Sequence, residues 1–362
     1  MMVASPAEAA REILQKARAG ERLSYDEGVT LYRYADLLEL GEAARERCDQ
    51  LHPERYVTFV IDSNINHTNV CVTNCSFCAF YRPPRHAEAY TRSHEQILDM
   101  VGQMVEQGGT ELLMQGGHNP DLTVEYFEAL FRAIKQRYPQ VIIHSLSPPE
   151  IQYIARRSKL SIYDTMVRLK AAGWESFPGG GAEILVDRVR SIIAPLKTKS
   201  QEWLDIMRMA HNLGVHGSAT MMFGHVETLE ERVEHLLRLR ELQDETHGWR
   251  AFICWTYQPG NTALGGREVG SVEYLRTLAF ARLFLDNIPN IQASWLTQGL
   301  KVGQVALSFG ANDLGGTLIE EEVVRSTGVT NRSNAETLIK LVRDVGKTPA
   351  LRNTRYEIVR VF

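Results

Sequence analysis

Short apolar runs alternate with helical patterns along most of the chain, and the alternation predicts the elements. Tyr56 to Ile61 (YVTFVI) is β-branched and aromatic, the composition of a buried strand. Ile97, Leu98, Val101, Met104 and Val105 then share one helical face, and Gly108-Gly109 ends that helix. Leu112 to Gln115 reads as a strand, followed by a helix with Phe127, Leu130, Phe131 and Ile134 in register. Val141 to Ser145 is the next strand, and Pro148-Pro149 opens a helix where proline is tolerated. A helix through Ile162, Met166 and Leu169 precedes a short strand at Trp174 to Phe177, and helices are predicted over Glu183 to Ala194 and Gln201 to Asn212. Ser218 to Phe223 is a strand, and Thr228 with Glu231 forms a capping box before Val233, Leu236 and Leu237. Arg250 to Tyr257, Ile291 to Trp295 and a segment near Leu318 supply the last strands. Helices between and after them carry Leu275, Leu278 and Arg282, then Val302 and Ala306, then Leu338, Ile339 and Val342 behind a Ser333/Glu336 cap.

About eight strand-then-helix units close a parallel (β/α)8 barrel, the TIM type. Continuous rather than alternating apolar strands fit a sheet covered on both faces. An open doubly wound sheet uses the same alternation and is the competing architecture. Two helices precede the first strand, Pro6 to Arg18 and Ser24 to Leu40, the second with a Ser24/Glu27 capping box. Residues 1–54 are therefore expected to form a helical extension packed on a barrel of residues 55–362, which ends in a helix and tail.

Charge and composition narrow the class. Against 40 Lys and Arg stand 44 Asp and Glu, a net charge of −4, which argues against a dedicated nucleic-acid binder. No apolar run reaches the roughly eighteen residues of a membrane span. Met1 to Arg18 mixes Glu8, Arg11, Glu12 and Lys16 with alanines and lacks a signal-peptide core, so a cytoplasmic location is expected. Five cysteines are too few to staple 362 residues.

Three of those cysteines, Cys71, Cys75 and Cys78, sit in a C-x3-C-x2-C run directly after the first strand. A barrel puts that loop on its C-terminal, catalytic face. Thiolates at this spacing wrap a soft metal centre. An iron–sulfur cluster fits; so does a zinc site with His67 as fourth ligand. A Cys75/Cys78 redox pair leaves Cys71 unused and lacks the helix start of that motif. A 4Fe–4S cluster ordinarily takes four cysteines, so three leave one iron open to a substrate.

The triplet after a first strand, with Phe77 just before its last cysteine, resembles the radical S-adenosylmethionine (SAM) superfamily. The resemblance implies a 4Fe–4S cluster on Cys71, Cys75 and Cys78, whose open iron chelates the methionine part of SAM. One electron then cleaves SAM to methionine and a 5′-deoxyadenosyl radical. In Gln115-Gly116-Gly117-His118 the glycines permit close backbone approach, and the resemblance gives this turn to the SAM amino group. Ser145 either holds a ribose hydroxyl or satisfies its strand end. Pro178 to Glu183 (PGGGAE) lacks the triphosphate-binding pattern. By resemblance Glu183 holds the SAM ribose diol and Arg188 or Arg190 the methionine carboxylate. Thr220 to Glu227 (TMMFGHVE) is similar to the superfamily's adenine-binding strand, although Met222 and its neighbour serve equally as core filler.

The stretches QGGHNP, HSLSPPE, PGGGAEIL, ATMMFGHVET, RELQDET, LDNIPNIQASW and GANDLGGT resemble the cyclic dehypoxanthine futalosine synthase family, over roughly Arg55 to Tyr356. Aminofutalosine synthase and the deazaflavin synthase components share the triplet, and His118 together with PGGGAE favours the cyclase. His247-Gly248-Trp249 departs slightly from the pattern. The family implies hydrogen abstraction from the ribose C4′ of dehypoxanthine futalosine and attack of C4′ on the benzoate ring, in the futalosine route to menaquinone. It also implies an electron donor such as flavodoxin or ferredoxin, and neither nucleic acid nor membrane as partner. Polar residues at later strand ends, Gln258, Trp295, Thr297 and Asn312, are the substrate-facing candidates, with His118 from an earlier loop. His225 or Asp313 is the candidate acceptor of the final proton. Glu320-Glu321-Glu322 reads as a solvated face and Cys254 as a small buried residue. A non-catalytic electron-transfer protein would leave QGGH and PGGGAE without a purpose.

Overall fold

The first strand is broken in two in the computed structural model, which describes residues 5–362: β1 (Tyr56–Val60) and β2 (Asp62–Asn64) flank a break at Ile61. β2 pairs in parallel with β3 (Glu111–Met114), which pairs with β4 (Ile142–Ser145), which pairs with β5 (Trp174–Ser176). A Phe177–Gly217 bridge passes the sheet on to β6 (Gly217–Phe223). β7 (Trp249–Thr256), β8 (Asn290–Gln292) and β9 (Asp313–Gly316) continue in parallel, and β9 returns to β1. With β1 and β2 taken as one strand, the ring is the eight-stranded barrel expected from the alternation.

Around it, in chain order, run α1 (Pro6–Arg18), α2 (Tyr25–Tyr34), α3 (Leu37–Leu51), α4 (His94–Glu106), α5 (Val124–Arg137), α6 (Pro148–Ser158) and α7 (Ile162–Ala171). There follow α8 (Asp187–Ile193), α9 (Ser200–Asn212), α10 (Leu229–Thr246), α11 (Ser271–Phe284), α12 (Trp295–Gln298), α13 (Leu300–Ala306) and α14 (Ala335–Asp344). The first three helices lie against α10 and α11. Tyr32 donates or accepts a 2.6 Å hydrogen bond with Thr277 and stacks on Phe280 at 4.7 Å. No helix among the described residues is long and apolar enough to cross a membrane.

Five local expectations change. The helix expected over Ser24 to Leu40 is two helices, because Ala35 turns extended and the Asp36 carboxylate caps α3, accepting from Leu38 N and Glu39 N. The helix expected from Glu183 starts at Asp187, and Glu183 itself stands in the loop at φ +42°. The eighth strand lies at Asp313–Gly316, before Leu318 rather than around it, and Asn334 rather than Ser333 caps α14. Beyond α14 the expected tail is a hairpin, β10 (Thr348–Arg352) and β11 (Ile358–Val361). β10 pairs in parallel with β1, so the hairpin fills the space left at the bottom of the barrel where β1 breaks away from β2.

Candidate active site

The three cysteines sit in the loop that leaves β2, and backbone hydrogen bonds fix that loop on both sides. Val72 N donates to His118 O and Gly117 N to Thr68 O, tying it to the turn after β3. Ser76 N donates to Ile193 O, tying it to the end of α8. The loop closes on a cavity of about 180 Å³ lined by Cys71, Cys75 and Cys78, the Gln115–His118 turn, Glu150, Glu183 and Lys197. All three thiols are free. Burial pushes Cys75 up to about 12 and raises Cys78, so neither ionises without a positive centre to bind. Cys48 and Cys254 are buried away from this loop, in α3 and β7.

His67 does not complete the set. Its ring packs edge-on against Phe127 at 5.2 Å and under Gly116, where a Cβ would lie 2.5 Å from it. Burial holds it neutral, its pKa lowered to about 3. Among the described residues no three His, Cys, Asp or Glu side chains converge on a single-ion site. Three sulfur donors without a fourth suit a cluster that keeps one iron free.

Gly117 sets how closely the turn can approach. A Cβ there would lie 2.2 Å from Val70 O and 2.9 Å from Cys71 Cβ. Gly117→Ala is therefore expected to push the cysteine loop outward at a cost of about 1–3 kcal/mol. The checks are a lower melting temperature and less iron retained per chain after anaerobic reconstitution.

A second cavity of about 250 Å³ shares Gln115, Gly180, Gly181 and Glu183 with the first and continues down the barrel axis. Its walls include Thr220, Trp255, Gln292, Trp295 and Thr297; Asp62, Glu111, His144 and Arg352 line it as well. Between the cavities the Glu183 carboxylate accepts from Lys197 Nζ at 2.9 Å and from Arg190 at 3.4 Å. Burial alone would raise the Glu183 carboxyl, but Lys197 and Arg190 outweigh it and hold it below its usual range.

Residues 65–239 match the radical SAM superfamily and residues 246–362 the CofH/MqnC C-terminal region. A cyclic dehypoxanthine futalosine synthase of Halalkalibacterium halodurans is 46% identical, over 97% of this chain and 95% of that protein. One from Streptomyces coelicolor is 48% identical over 95% of this chain and 88% of its own. The chain belongs to the cyclic dehypoxanthine futalosine synthase family. An aminodeoxyfutalosine synthase of Thermus thermophilus stands further off, at 37% over 97% and 96%. The hydrogenase maturase HydG of Carboxydothermus hydrogenoformans shares the fold, with a TM-score of 0.77 at 19% identity over 97% of this chain and 81% of its own. Methylornithine synthase PylB does too, with a TM-score of 0.73 at 18% identity over 93% and 97%.

Radical SAM enzymes, this family among them, use a 4Fe–4S cluster and SAM, and the three-thiol cavity opening onto a second chamber fits that pair. Of the candidates for the SAM site, Phe77, Gln115, Gly116, Gly117 and Glu183 line the cysteine cavity. Met222 lines a small side cavity with Phe77, Cys78 and Gln258. Ser145 takes the strand-end alternative: it is buried and donates to Met114 O at 2.9 Å. Both arginine candidates are engaged elsewhere. Arg188 is half exposed on the outside, paired with Glu231 at 2.6 Å. Arg190 is buried and donates to the carbonyls of Gly181, Ala182 and Thr198, so it braces the glycine loop.

Among the substrate candidates of the cyclase family, Trp295 and Thr297 line the deep chamber, and His118 the cysteine cavity. Its Nδ1 lies 2.6 Å from Thr73 Oγ1 and its ring stacks on Tyr153 at 4.9 Å. Asn312 is no substrate contact: it accepts from Arg282 at 2.7 Å, donates to Asn290 and lies outside both cavities. His225 accepts from Val226 N at Nδ1 and faces Met222 O at Nε2, so both ring nitrogens are taken. Asp313 binds Arg352 through both oxygens, at 2.6 and 3.1 Å, and also accepts from Thr58 and Gly315 N. Neither is free to receive a proton from a ligand.

Three site residues escape sequence reasoning. Lys197 is the cation at the cysteine cavity, its ammonium also 5.0 Å from the Phe77 ring centre. Glu150 accepts from Gly116 N at 3.0 Å and from Ser147 at 2.5 Å, and burial pushes it up to about 7. Arg352 reaches the chamber from β10. Glu150 lies within the HSLSPPE stretch, the one local signal that could have found it; Lys197 and Arg352 carry none.

Proposed function

We propose that this chain is itself a cyclic dehypoxanthine futalosine synthase: it converts dehypoxanthine futalosine to the cyclic product in the futalosine route to menaquinone. The observation that carries the reading is the identity gap, 46 and 48% to two cyclases against 37% to an aminodeoxyfutalosine synthase. Two joined cavities, one at the thiols and one down the barrel axis, support a cofactor and a separate substrate. A cluster held by the three cysteines, with SAM beside it, would supply the radical chemistry that removes one hydrogen atom from the ribose C4′.

The protein's own work is positioning. Cys71, Cys75 and Cys78 hold the cluster. The Gln115–Gly117 backbone and Glu183 seat SAM, with Lys197 supplying the positive charge for its carboxylate. Trp295, Thr297 and Trp255 wall the substrate, so that the radical meets one hydrogen and water stays out. Arg352, the one arginine among the chamber's lining residues, is held by Asp313 through both carboxylate oxygens and so fixes the chamber floor. The helices of residues 5–54 serve as a brace outside the barrel. The enzyme works in the cytoplasm with an electron donor of the flavodoxin or ferredoxin kind.

The test is an anaerobic incubation of reconstituted protein with SAM, a strong reductant and dehypoxanthine futalosine, read by mass spectrometry. A product lighter by two hydrogens, formed with 5′-deoxyadenosine, is expected. Cleavage of SAM with the substrate untouched would move the assignment to a sister synthase.

A further inference from the structure

With His225 and Asp313 both engaged, the proton lost at the end of the cyclase reaction needs another acceptor. The deep chamber offers one. Asp62 and Glu111 are partners in register on the parallel strands β2 and β3, so both side chains leave the same face of the sheet, and both line the chamber. They are 2% and 7% exposed. The Asp62 carboxylate accepts from Leu318 N at 2.7 Å through Oδ1. Among the described residues no hydrogen bond reaches the Glu111 carboxylate, although burying an unpartnered charge is costly. An otherwise unexplained pair of carboxylates directed at a ligand space is a marker of chemistry.

We propose that Asp62 and Glu111 act together as the base of the chamber, accepting the proton released when the substrate's benzoate ring regains aromaticity. The inference rests on the cyclase reading. Four changes balance the step. The C4′ hydrogen leaves with one electron to 5′-deoxyadenosine, and C4′ bonds to a ring carbon. That carbon's hydrogen leaves as a proton to the carboxylate pair, its bonding electrons staying in the ring. One ring electron then passes to an oxidant of the iron–sulfur class, restoring the aromatic sextet.

The groups around the pair leave it able to take that proton. His144 on β4 is neutral, its pKa lowered to about 4 by burial, with Nδ1 2.7 Å from Ser176 Oγ. Arg352 on β10 is the nearby cation, but Asp313 on β9 already neutralises it through two oxygens. Arg250 on β7 and Tyr356, beyond β10, are further charged and titratable groups near the pair, and the carboxylates of Glu183 and Glu321 line the same chamber. Two like charges in one buried site do not both ionise easily. Burial first, and the Glu111 charge second, push Asp62 up to about 7. Asp62 can therefore take up a proton at a pH where an ordinary carboxylate stays ionised, as a general base must.

Glu111→Gln and Asp62→Asn keep shape and remove the basic oxygen. Each reconstituted variant is expected to keep its iron content and SAM cleavage, to hold KM within about threefold, and to lose about 100-fold in kcat for cyclised product. Product formed per 5′-deoxyadenosine should fall with it. Infrared difference spectra of the wild-type holoenzyme should show a carboxyl stretch titrating near neutral pH, absent from both variants. A KM increase at unchanged kcat would overturn the proposal and make the pair a binding site for sugar hydroxyls. Unchanged kcat and KM together, or an infrared band that survives both substitutions, would also overturn it. Failure of wild-type protein to cyclise dehypoxanthine futalosine would instead overturn the function on which the proposal rests.

Discussion

Cys75→Ala should eliminate SAM cleavage and cyclisation while leaving the barrel folded. Cys75 is buried at the mouth of the barrel and, as a free thiol, stabilises the loop chiefly by packing. Trimming sulfur to a methyl at such a site is a small volume change, and loop-to-turn hydrogen bonds such as Val72 N to His118 O and Gly117 N to Thr68 O do not pass through it. The cluster loses one of three protein ligands with no spare cysteine in reach. Changing an outer partner of a metal ligand costs about 10–100-fold in affinity or activity, and losing the ligand itself should cost more. The checks are iron per chain, the visible absorbance of the cluster, and the effect of SAM on the electron paramagnetic resonance signal after reduction. Circular dichroism should stay at wild type. Cleavage of SAM at a wild-type rate in this variant would remove the cluster assignment.

Glu183→Gln is the substitution expected to damage stability most among the site residues. The carboxylate answers two cations, the buried Arg190 and the part-buried Lys197. Taking the charge away leaves both facing a neutral amide, and breaking a buried pair in this way costs about 3–5 kcal/mol. The denaturation midpoint in urea should fall accordingly, and SAM affinity with it, because the glycine loop before Glu183 is held by the same Arg190. The companion variant separates charge from shape. Adding Lys197→Met to Glu183→Gln removes one stranded cation and should recover part of the lost stability, though not SAM binding. If the single variant unfolds at the wild-type midpoint, the ion cluster contributes nothing to the fold.

Legibility in the sequence followed distance along the chain. The barrel strands and most helices announced themselves because their signals are local: β-branched runs, apolar stripes, capping boxes. The cysteine triplet and the two glycine turns were equally plain, being compact motifs at strand ends. Where the reading changed, the cause was a local interruption or a distant partner. Asp36 ended one helix and began another in the middle of an unbroken apolar pattern. β10 (TPALR) has no strand-like run of its own and exists because β1 offers an edge to pair with, while the short β-branched run of β11 (IVRV) does not show its pairing with β10. The same cause hid the roles of single residues. Arg190 looked available for a carboxylate until the carbonyls of its own loop were seen to occupy it. Asp62 and Glu111 carried no motif at all; only strand register brings them side by side.

The hairpin at the barrel floor also orders events in the life of the chain. β1 emerges early from the ribosome and its β10 partner late, and pairings so remote in sequence are slow to form because the intervening chain must first be ordered. Until β10 docks, Asp313 has no arginine beside it, and the chamber has an open lower end. The cysteine loop and its turn, by contrast, belong to the first half of the chain. A nascent polypeptide can therefore present its thiols before it has a sealed place for substrate, so metal loading is free to precede completion of the barrel.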